Sequence, residues 1–413
     1  MSGRNLLFLA HRLPFPPNKG DKVRSYHLLK HLAARHRVFL GTFIDDPADE
    51  RHVETVRELC AEVHTVRLRP RLARLRSVTG FASAEALTLP YYRDAGMQAW
   101  VNRVVREHGI DTVVIFSSAM AQYVESSGRL RVLVDFVDVD SAKWSQYAAK
   151  HAWPLSWVYR REGARLLEFE RSTAERAVAS FFVTDAEVAL FRSLTPGCRA
   201  HVETISNGVD TEFFSPGASA PIVSCPYSAK EVPVVFTGAM DYWPNIDAVV
   251  WFATEVLPRL RLRQPAVRFY VVGMNPGSAV QSLAGEHVVV TGTVPDVRPY
   301  VRNAAVVVAP LRVARGVQNK VLEAMAMGRP VVAAEACAAA LDAVAGRDFE
   351  VAGDAGSYVD RIDALLRDPA RARAMGEAGR ARVVNAYNWS ANLQKIDSHI
   401  DPGVRPVMAR AAQ

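Results

Sequence analysis

Short apolar runs rich in β-branched residues recur along the chain, and longer segments with helical periodicity separate most of them. That alternation is the pattern of parallel α/β domains. A first series of predicted strands covers residues 5–10, 37–43, 63–68, 112–116, 131–136, 178–183 and 201–205, with a helix over 22–34 between the first two. A second series covers 233–237, 267–272, 287–291, 305–309 and 330–334. Between them, residues 215–232 (SPGASAPIVSCPYSAKEV) are rich in Ser, Pro and Ala and carry no helical stripe, so they read as a linker. The prediction is a doubly wound domain over 1–214 and a second over 233–385. Doubly wound sheets bind ligands beyond the carboxyl ends of their strands, so the loops there are where chemistry belongs.

Length agrees with this division, because 413 residues exceed what one hydrophobic core usually organises. Hydrophobic residues make up 49% and charged residues 23%, which excludes a disordered chain. The formal net charge of +7 favours contact with phosphates or anionic head groups. The four cysteines, Cys60, Cys198, Cys225 and Cys337, form no C-x-x-C pair, which suggests free thiols in a reducing compartment. The first apolar run is too short for a signal peptide, and no segment reaches the roughly 20 apolar residues of a membrane span. A cytoplasmic location is the expectation.

The most informative stretch is 310–334, PLRVARGVQNKVLEAMAMGRPVVAA. A strand ends near Pro310, a glycine-containing loop follows, Asn319 or its neighbour opens a helix, Gly328 closes it, and the next strand begins. The spacing puts backbone N–H groups of Gly316, Val317 and Gln318 at a helix N-terminus with Lys320 in the first turn, an arrangement suited to a diphosphate. Glu323, one turn on, is placed to accept hydrogen bonds from ribose hydroxyls. By spacing alone, Lys320 and Glu323 are equally a solvated pair on a packing helix.

Three stretches resemble a known family. LEAMAMGRPVVA looks like the donor-site helix of the retaining GT-B glycosyltransferases of family 4. Residues 205–210 (ISNGVD), followed by Phe213, Phe214 and Pro216, are similar to the stretch that ends that family's first domain. VFTGAMDYWPNIDAVVWFATEVLP (235–258) resembles the opening of the second domain in a bacterial subgroup of exopolysaccharide synthesis, the sugar transferases associated with PEP-CTERM/exosortase systems, which also share GVQNKVLEAMA and HRLPFPPNKGDK-R. The resemblance implies two Rossmann-like domains facing a cleft, with a segment over 386–413 crossing back onto the first. It implies a nucleoside diphosphate sugar as donor, a glycan or lipid-linked acceptor, and no metal or other cofactor. It places Gly20, with Lys19 and Arg24, near the diphosphate and acceptor, and Gly238 and Asn207 at the donor site.

Two positions depart from the family pattern. Members commonly carry two glutamates eight positions apart, the second matching Glu323, but the first position here is Arg315. After Gly238 stands Ala239, where many relatives have an arginine and, further on, a lysine. The cationic role then shifts to Arg312, Arg315 and Lys320. Because of the missing glutamate, a non-catalytic sugar-nucleotide-binding protein is an alternative, as is a GT-B epimerase.

Other candidates stay open at this level. Asp138-Val139-Asp140 imitates the D-x-D pair of metal-dependent GT-A enzymes, which the two-sheet pattern contradicts; in the family this loop faces the cleft, so Asp138 or Asp140 either touches sugar hydroxyls or caps a turn. His11 leaves the first strand beside the expected ligand side. Residues 67–76, RLRPRLARLR, hold five arginines and no acid, so Arg67–Arg76 is either a solvated face or a contact with anionic lipid at the inner face of the cell membrane. No motif supports nucleic-acid binding, hydrolysis, phosphoryl transfer from a P-loop, or a dinucleotide cofactor.

Overall fold

The computed structural model describes residues 3–17, 20–124, 130–217, 225–314 and 316–401. The chain divides into two compact units, one comprising Met1–Ser206 and Leu393–Gln413, the other Asn207–Asn392.

The first unit is built on β1 (Asn5–Ala10), β2 (Arg37–Ile44), β3 (Glu62–Arg67), β4 (Thr112–Phe116), β5 (Arg131–Val137), β6 (Ala179–Phe182) and β7 (Val202–Thr204). They form one sheet in the order β3-β2-β1-β4-β5-β6-β7, and every pairing is parallel. Leu6 through Ala10 of β1 are fully buried, because a parallel sheet is covered on both faces; this is why the strand reads as continuous rather than alternating apolar sequence. Helices used below are α1 (Gly20–Ala33), α2 (Pro70–Ser77), α3 (Thr79–Ala82), α4 (Asp140–Ala149) and α5 (Leu155–Arg176).

The second unit contains β8 (Val232–Thr237), β9 (Val267–Val272), β10 (Val288–Gly292), β11 (Val306–Ala309), β12 (Val331–Ala334) and β13 (Glu350–Ala352), in the order β10-β9-β8-β11-β12-β13, again all parallel. Its relevant helices are α6 (Trp243–Trp251) and α7 (Asn319–Ala326), and α8 (Trp389–Ile400) leads out of it. All twelve strands expected from the sequence are present. The thirteenth, β13, reads only EVA, too short for a hydrophobic period, and its buried Glu350 is neutralised by Arg371 at 2.5 Å.

The first unit ends at Ser206, ahead of the expected end at 214, and the second runs on to Asn392. Val209 N donates to Tyr387 O at 2.9 Å, and a Cβ on Gly208 would lie 2.8 Å from the Trp389 ring, so these residues pack with the second unit. From Leu393 the chain belongs to the first. Lys395 Nζ donates to Thr204 O at 2.8 Å, His31 Nε2 lies 2.8 Å from Asp397, and Arg4 Nε bonds Asp401 at 2.5 Å.

In each sheet the strand order reverses once, between β1 and β4 in the first unit and between β8 and β11 in the second. Loops beyond the carboxyl ends of those strands are the expected ligand positions. Among the described residues, no helix is long and apolar enough to cross a membrane.

Candidate functional site

The switch point of the second sheet gathers most of the donor-site residues named from the sequence. Gly238 directly follows β8, and its φ of +156° is one that side-chain-bearing residues avoid. A Cβ there would lie 2.8 Å from Asn245 Nδ2 and 3.1 Å from Lys320 Nζ, so the backbone and two side chains crowd one point. Asn245, in the first turn of α6, donates from Nδ2 to Ala239 O at 2.8 Å and accepts Lys320 Nζ on Oδ1 at 2.6 Å. The ammonium also lies 4.1 Å from the Phe236 ring centroid, a cation–π contact from the end of β8.

Lys320 stands in the first turn of α7. Gln318 is the residue before that helix, in extended conformation and without a side-chain cap, and Gly316, at φ +61°, turns the loop into it. The first N–H groups of any α-helix lack intrahelical acceptors, so those of Asn319 and Lys320 point out of the start of α7. Asn319 Oδ1 is buried with no hydrogen-bond partner among the described residues. Val317 is buried and anchors the loop to the core. The helix ends as expected: Gly328, at φ +66°, donates to Met325 O, and Arg329 N donates to Ala324 O.

Burial draws the Lys320 ammonium down to about 7, against the pull of Cys337 and Glu323, and pushes the Glu323 carboxyl up to about 7, against Lys320. The two sense each other without forming an ion pair. The Lys320 ammonium therefore sits against an amide and a ring rather than against a carboxylate. Arg312 behaves differently, since Asp247 of α6 engages it through two hydrogen bonds, one at 2.9 Å. Its guanidinium is thus shared with an acid from the start, although its side chain stays 55% exposed. Arg315 lies outside the described residues, as does Lys19.

In the first unit, the candidate cations are neutralised. Arg24 is buried and forms a fork on Asp135, with Nε to Oδ2 at 2.7 Å and a second nitrogen to Oδ1 at 3.0 Å, and it donates to Ile205 O at 2.7 Å. It is a structural clamp between α1, β5 and the end of β7, which overturns its placement beside a diphosphate. Asp138 and Asp140 share Lys143 Nζ, at 2.8 and 2.9 Å. A lysine thus fills the place a metal would take between them. Gly20 begins α1, and a Cβ on it would meet nothing within 4 Å, so packing alone does not demand glycine there. His11 stacks on Phe116 with ring centroids 5.8 Å apart and lies 3.5 Å from Asp21. Burial opposes ionisation of Asp21, but His11 and Arg12 outweigh it and hold that carboxyl well below its usual range.

Asn207 opens the second unit, and its carbonyl accepts from Asn392 Nδ2 at 3.4 Å, which places it with the 388–392 segment. One group with metal-ligand spacing occurs among the described residues: His201, Glu203 and His399, with candidate ligand atoms within 4.8 Å of one another. Both imidazoles are hydrogen-bonded to Glu203 Oε1. No sequence spacing announces this trio, because α8 supplies its third member.

Residues 231–368, spanning the whole switch-point site, match the family described as Glycosyl transferases group 1. The chain carries a group 1 glycosyltransferase domain. Over 319 residues the glycosyltransferase is 27% identical to the GDP-mannose-dependent alpha-(1-6)-phosphatidylinositol monomannoside mannosyltransferase of Mycolicibacterium smegmatis, covering 70% of this chain and 76% of that protein. Its fold is similar to sucrose-phosphate synthase from Thermosynechococcus elongatus, with a TM-score of 0.70, 19% identity, and 97% and 98% of the two chains covered. It is likewise similar to Anabaena HepE, solved with UDP-glucose, at a TM-score of 0.65 and 16% identity over 96% and 99% of the chains. These likenesses show a GT-B fold, and the family match with the mannosyltransferase relative supports an enzyme of sugar transfer.

Sequence reasoning about this glycosyltransferase missed Asn245 and Phe236. Neither carries a signal of its own: Asn245 sits in an ordinary P-N-I-D helix start, and Phe236 reads as one more core residue of β8. Only the tertiary packing of α7 over β11 and β12 brings the Lys320 side chain to both.

Proposed function

We propose that this glycosyltransferase moves a hexosyl residue from a nucleoside diphosphate sugar to a glycan or lipid-linked acceptor, with retention and without a metal. We place that activity in the cytoplasm, in exopolysaccharide or other cell-surface glycan synthesis. The observation that carries the donor half is the Lys320 ammonium, held by Asn245 and Phe236 at the start of α7 with no carboxylate bound to it. A diphosphate supplies the missing anion. Retention and the exopolysaccharide setting rest on the sequence resemblance alone.

In this reading the N–H groups at the start of α7 and Lys320 take the charge that grows on the departing diphosphate, which lowers the barrier most where water is excluded. Glu323, one turn along, accepts from the ribose hydroxyls, and bare Gly238 lets the donor approach the backbone. Nucleotide sugars in the name of the mycobacterial relative and in the HepE complex support the donor class. The phosphatidylinositol mannoside of that relative supports a lipid-linked acceptor.

The test is a thermal-shift panel of UDP-, GDP- and ADP-sugars with and without magnesium, since a ligand of the folded state raises the melting temperature. The expected result is a metal-independent shift with one nucleotide, lost in Glu323→Ala. No shift with any nucleotide sugar sinks the donor reading, and a shift that needs magnesium sinks its metal-free form.

A further inference from the structure

The arginine-rich stretch belongs to a larger surface that the sequence does not show as one. Along α2, α3 and the single residue between them, Leu72, Leu75, Val78 and Phe81 follow one another at three-residue spacing and are 55%, 69%, 58% and 38% exposed. Where α4 gives way to α5, Trp153 is 81% exposed, with Leu155 and Trp157 about half exposed. With Tyr147 of α4 these are eight of the seventeen large apolar side chains exposed among the described residues, so the exposure is concentrated, not scattered.

Direct contacts tie the two segments together. Phe81 stacks parallel on Trp157, with centroids 5.9 Å apart and an interplanar angle of 6°. Arg161 covers Phe81 at 4.9 Å and donates to Gly80 O at 2.7 Å and Glu85 O at 3.0 Å.

Charge within the two segments has one sign, and the neighbouring Glu85 is paired with Arg93 at 2.9 Å. Residues 68–84 and 141–161 contain no Asp or Glu. Two of the arginines singled out within 67–76 are engaged elsewhere: Arg67 pairs with Glu50 at 2.5 Å, and Arg76 turns inward onto Pro90 O and Tyr91 O. Arg69, Arg71, Arg74, Lys150 and Arg160 remain exposed, with no ion pair among the described residues.

We propose that the first unit docks on an anionic lipid bilayer through this composite face, the Trp, Leu and Phe tips entering the interface and the five cations meeting lipid phosphates. Tryptophan rings settle at the headgroup level, and apolar tips among cations are how proteins lie on membranes. A second copy of the chain fits poorly, because a self-complementary contact would set these cations against themselves. The proposal is independent of the donor-site reading.

The experiment is sedimentation of the full chain with vesicles of phosphatidylcholine alone and of phosphatidylcholine mixed with phosphatidylglycerol. Two surface variants are compared: Arg69→Glu/Arg71→Glu/Arg74→Glu and Trp153→Ser/Leu155→Ser. Binding is expected to the mixed vesicles only, to weaken with added salt, and to fall about tenfold or more in each variant. Nucleotide-induced thermal shifts of both variants should match the parent, which separates this test from that of the donor site. Absence of binding, equal binding to the two vesicle types, or binding retained in both variants overturns the proposal. So does a dimer in solution that dissociates in Trp153→Ser/Leu155→Ser, which would assign the face to a second copy.

Discussion

The cations beside the two strand-order reversals are held differently, with Lys320 of the second unit the exception to carboxylate pairing. Beyond the carboxyl ends of the first sheet, Arg24 is locked on Asp135, Arg12 on Asp21 and Asp45, and Lys143 on Asp138 and Asp140; Lys22, in α1, is paired with Asp49. Beyond the second, Lys320 has an amide and a ring instead, with Glu323 acting only through space. A cation held by a carboxylate is already neutralised and serves the fold. One held by neutral partners is left to pair with an incoming anion, and burial lowers its pKa more than Cys337 and Glu323 raise it. Two sheets of like topology are thus told apart at their reversal points by the partners of Lys320 and Arg24, since second-unit arginines such as Arg312 are paired with acids as well.

The sharpest way to break this contrast is at Arg24. Arg24→Met leaves Asp135 buried without its partner, which should cost about 3–5 kcal/mol of stability. Urea unfolding of the parent and variant checks this, and a loss under about 1 kcal/mol would remove Arg24 from the fold-supporting class. Lys320→Ala should do the reverse, keeping stability while weakening nucleoside diphosphate binding by about 10- to 100-fold, the span of charge-assisted hydrogen bonds. Titration calorimetry reads it, and unchanged affinity would place the phosphate site elsewhere.

Gly238→Ala should also weaken binding, since the new methyl falls 3.1 Å from Lys320 Nζ and 2.8 Å from Asn245 Nδ2 on a backbone that disfavours it. About a tenfold loss is expected, with a smaller loss in Asn245→Asp, where a carboxylate would pre-empt the ammonium.

The pH dependence sharpens the comparison further. Above about 7 the empty site leaves Lys320 increasingly neutral, so a diphosphate must bind together with a proton and affinity falls as pH rises. Below about 7 Glu323 is increasingly protonated and must release its proton before accepting from ribose, so affinity falls again as pH drops. Binding should be tightest near pH 7. At pH 8, calorimetry in two buffers of different ionisation enthalpy should show proton uptake, and Lys320→Arg should abolish it. The smallest effect is expected at the paired first-unit acids: Asp140→Asn leaves Lys143 on Asp138 and should alter stability by about 1 kcal/mol or less, read as a shift in Tm.

How much of this was legible beforehand differs from place to place. Strands such as β1, β4 and β9 match their predicted bounds because a parallel strand covered on both faces must be apolar at every position. The start of α7 and its closure at Gly328 were legible for a similar reason, since helix ends carry local signals. The boundary at 206 was not, because residues 207–209 are held by Tyr387 and Trp389 from far along the chain. Arg24 was misjudged on the same ground, since its partner Asp135 lies 111 positions away.

The sequence by itself determined that the chain forms two parallel α/β units and that a helix start bearing Lys320 and Glu323 follows a strand of the second. These depend on hydrophobic period and on capping residues, both read within a few positions. Tertiary structure alone decided which charges are paired with carboxylates and which, like Lys320, are held by neutral partners. That choice depends on distances across the fold, from Asn245 to Lys320, Asp135 to Arg24 and Phe81 to Trp157, and no local pattern encodes them.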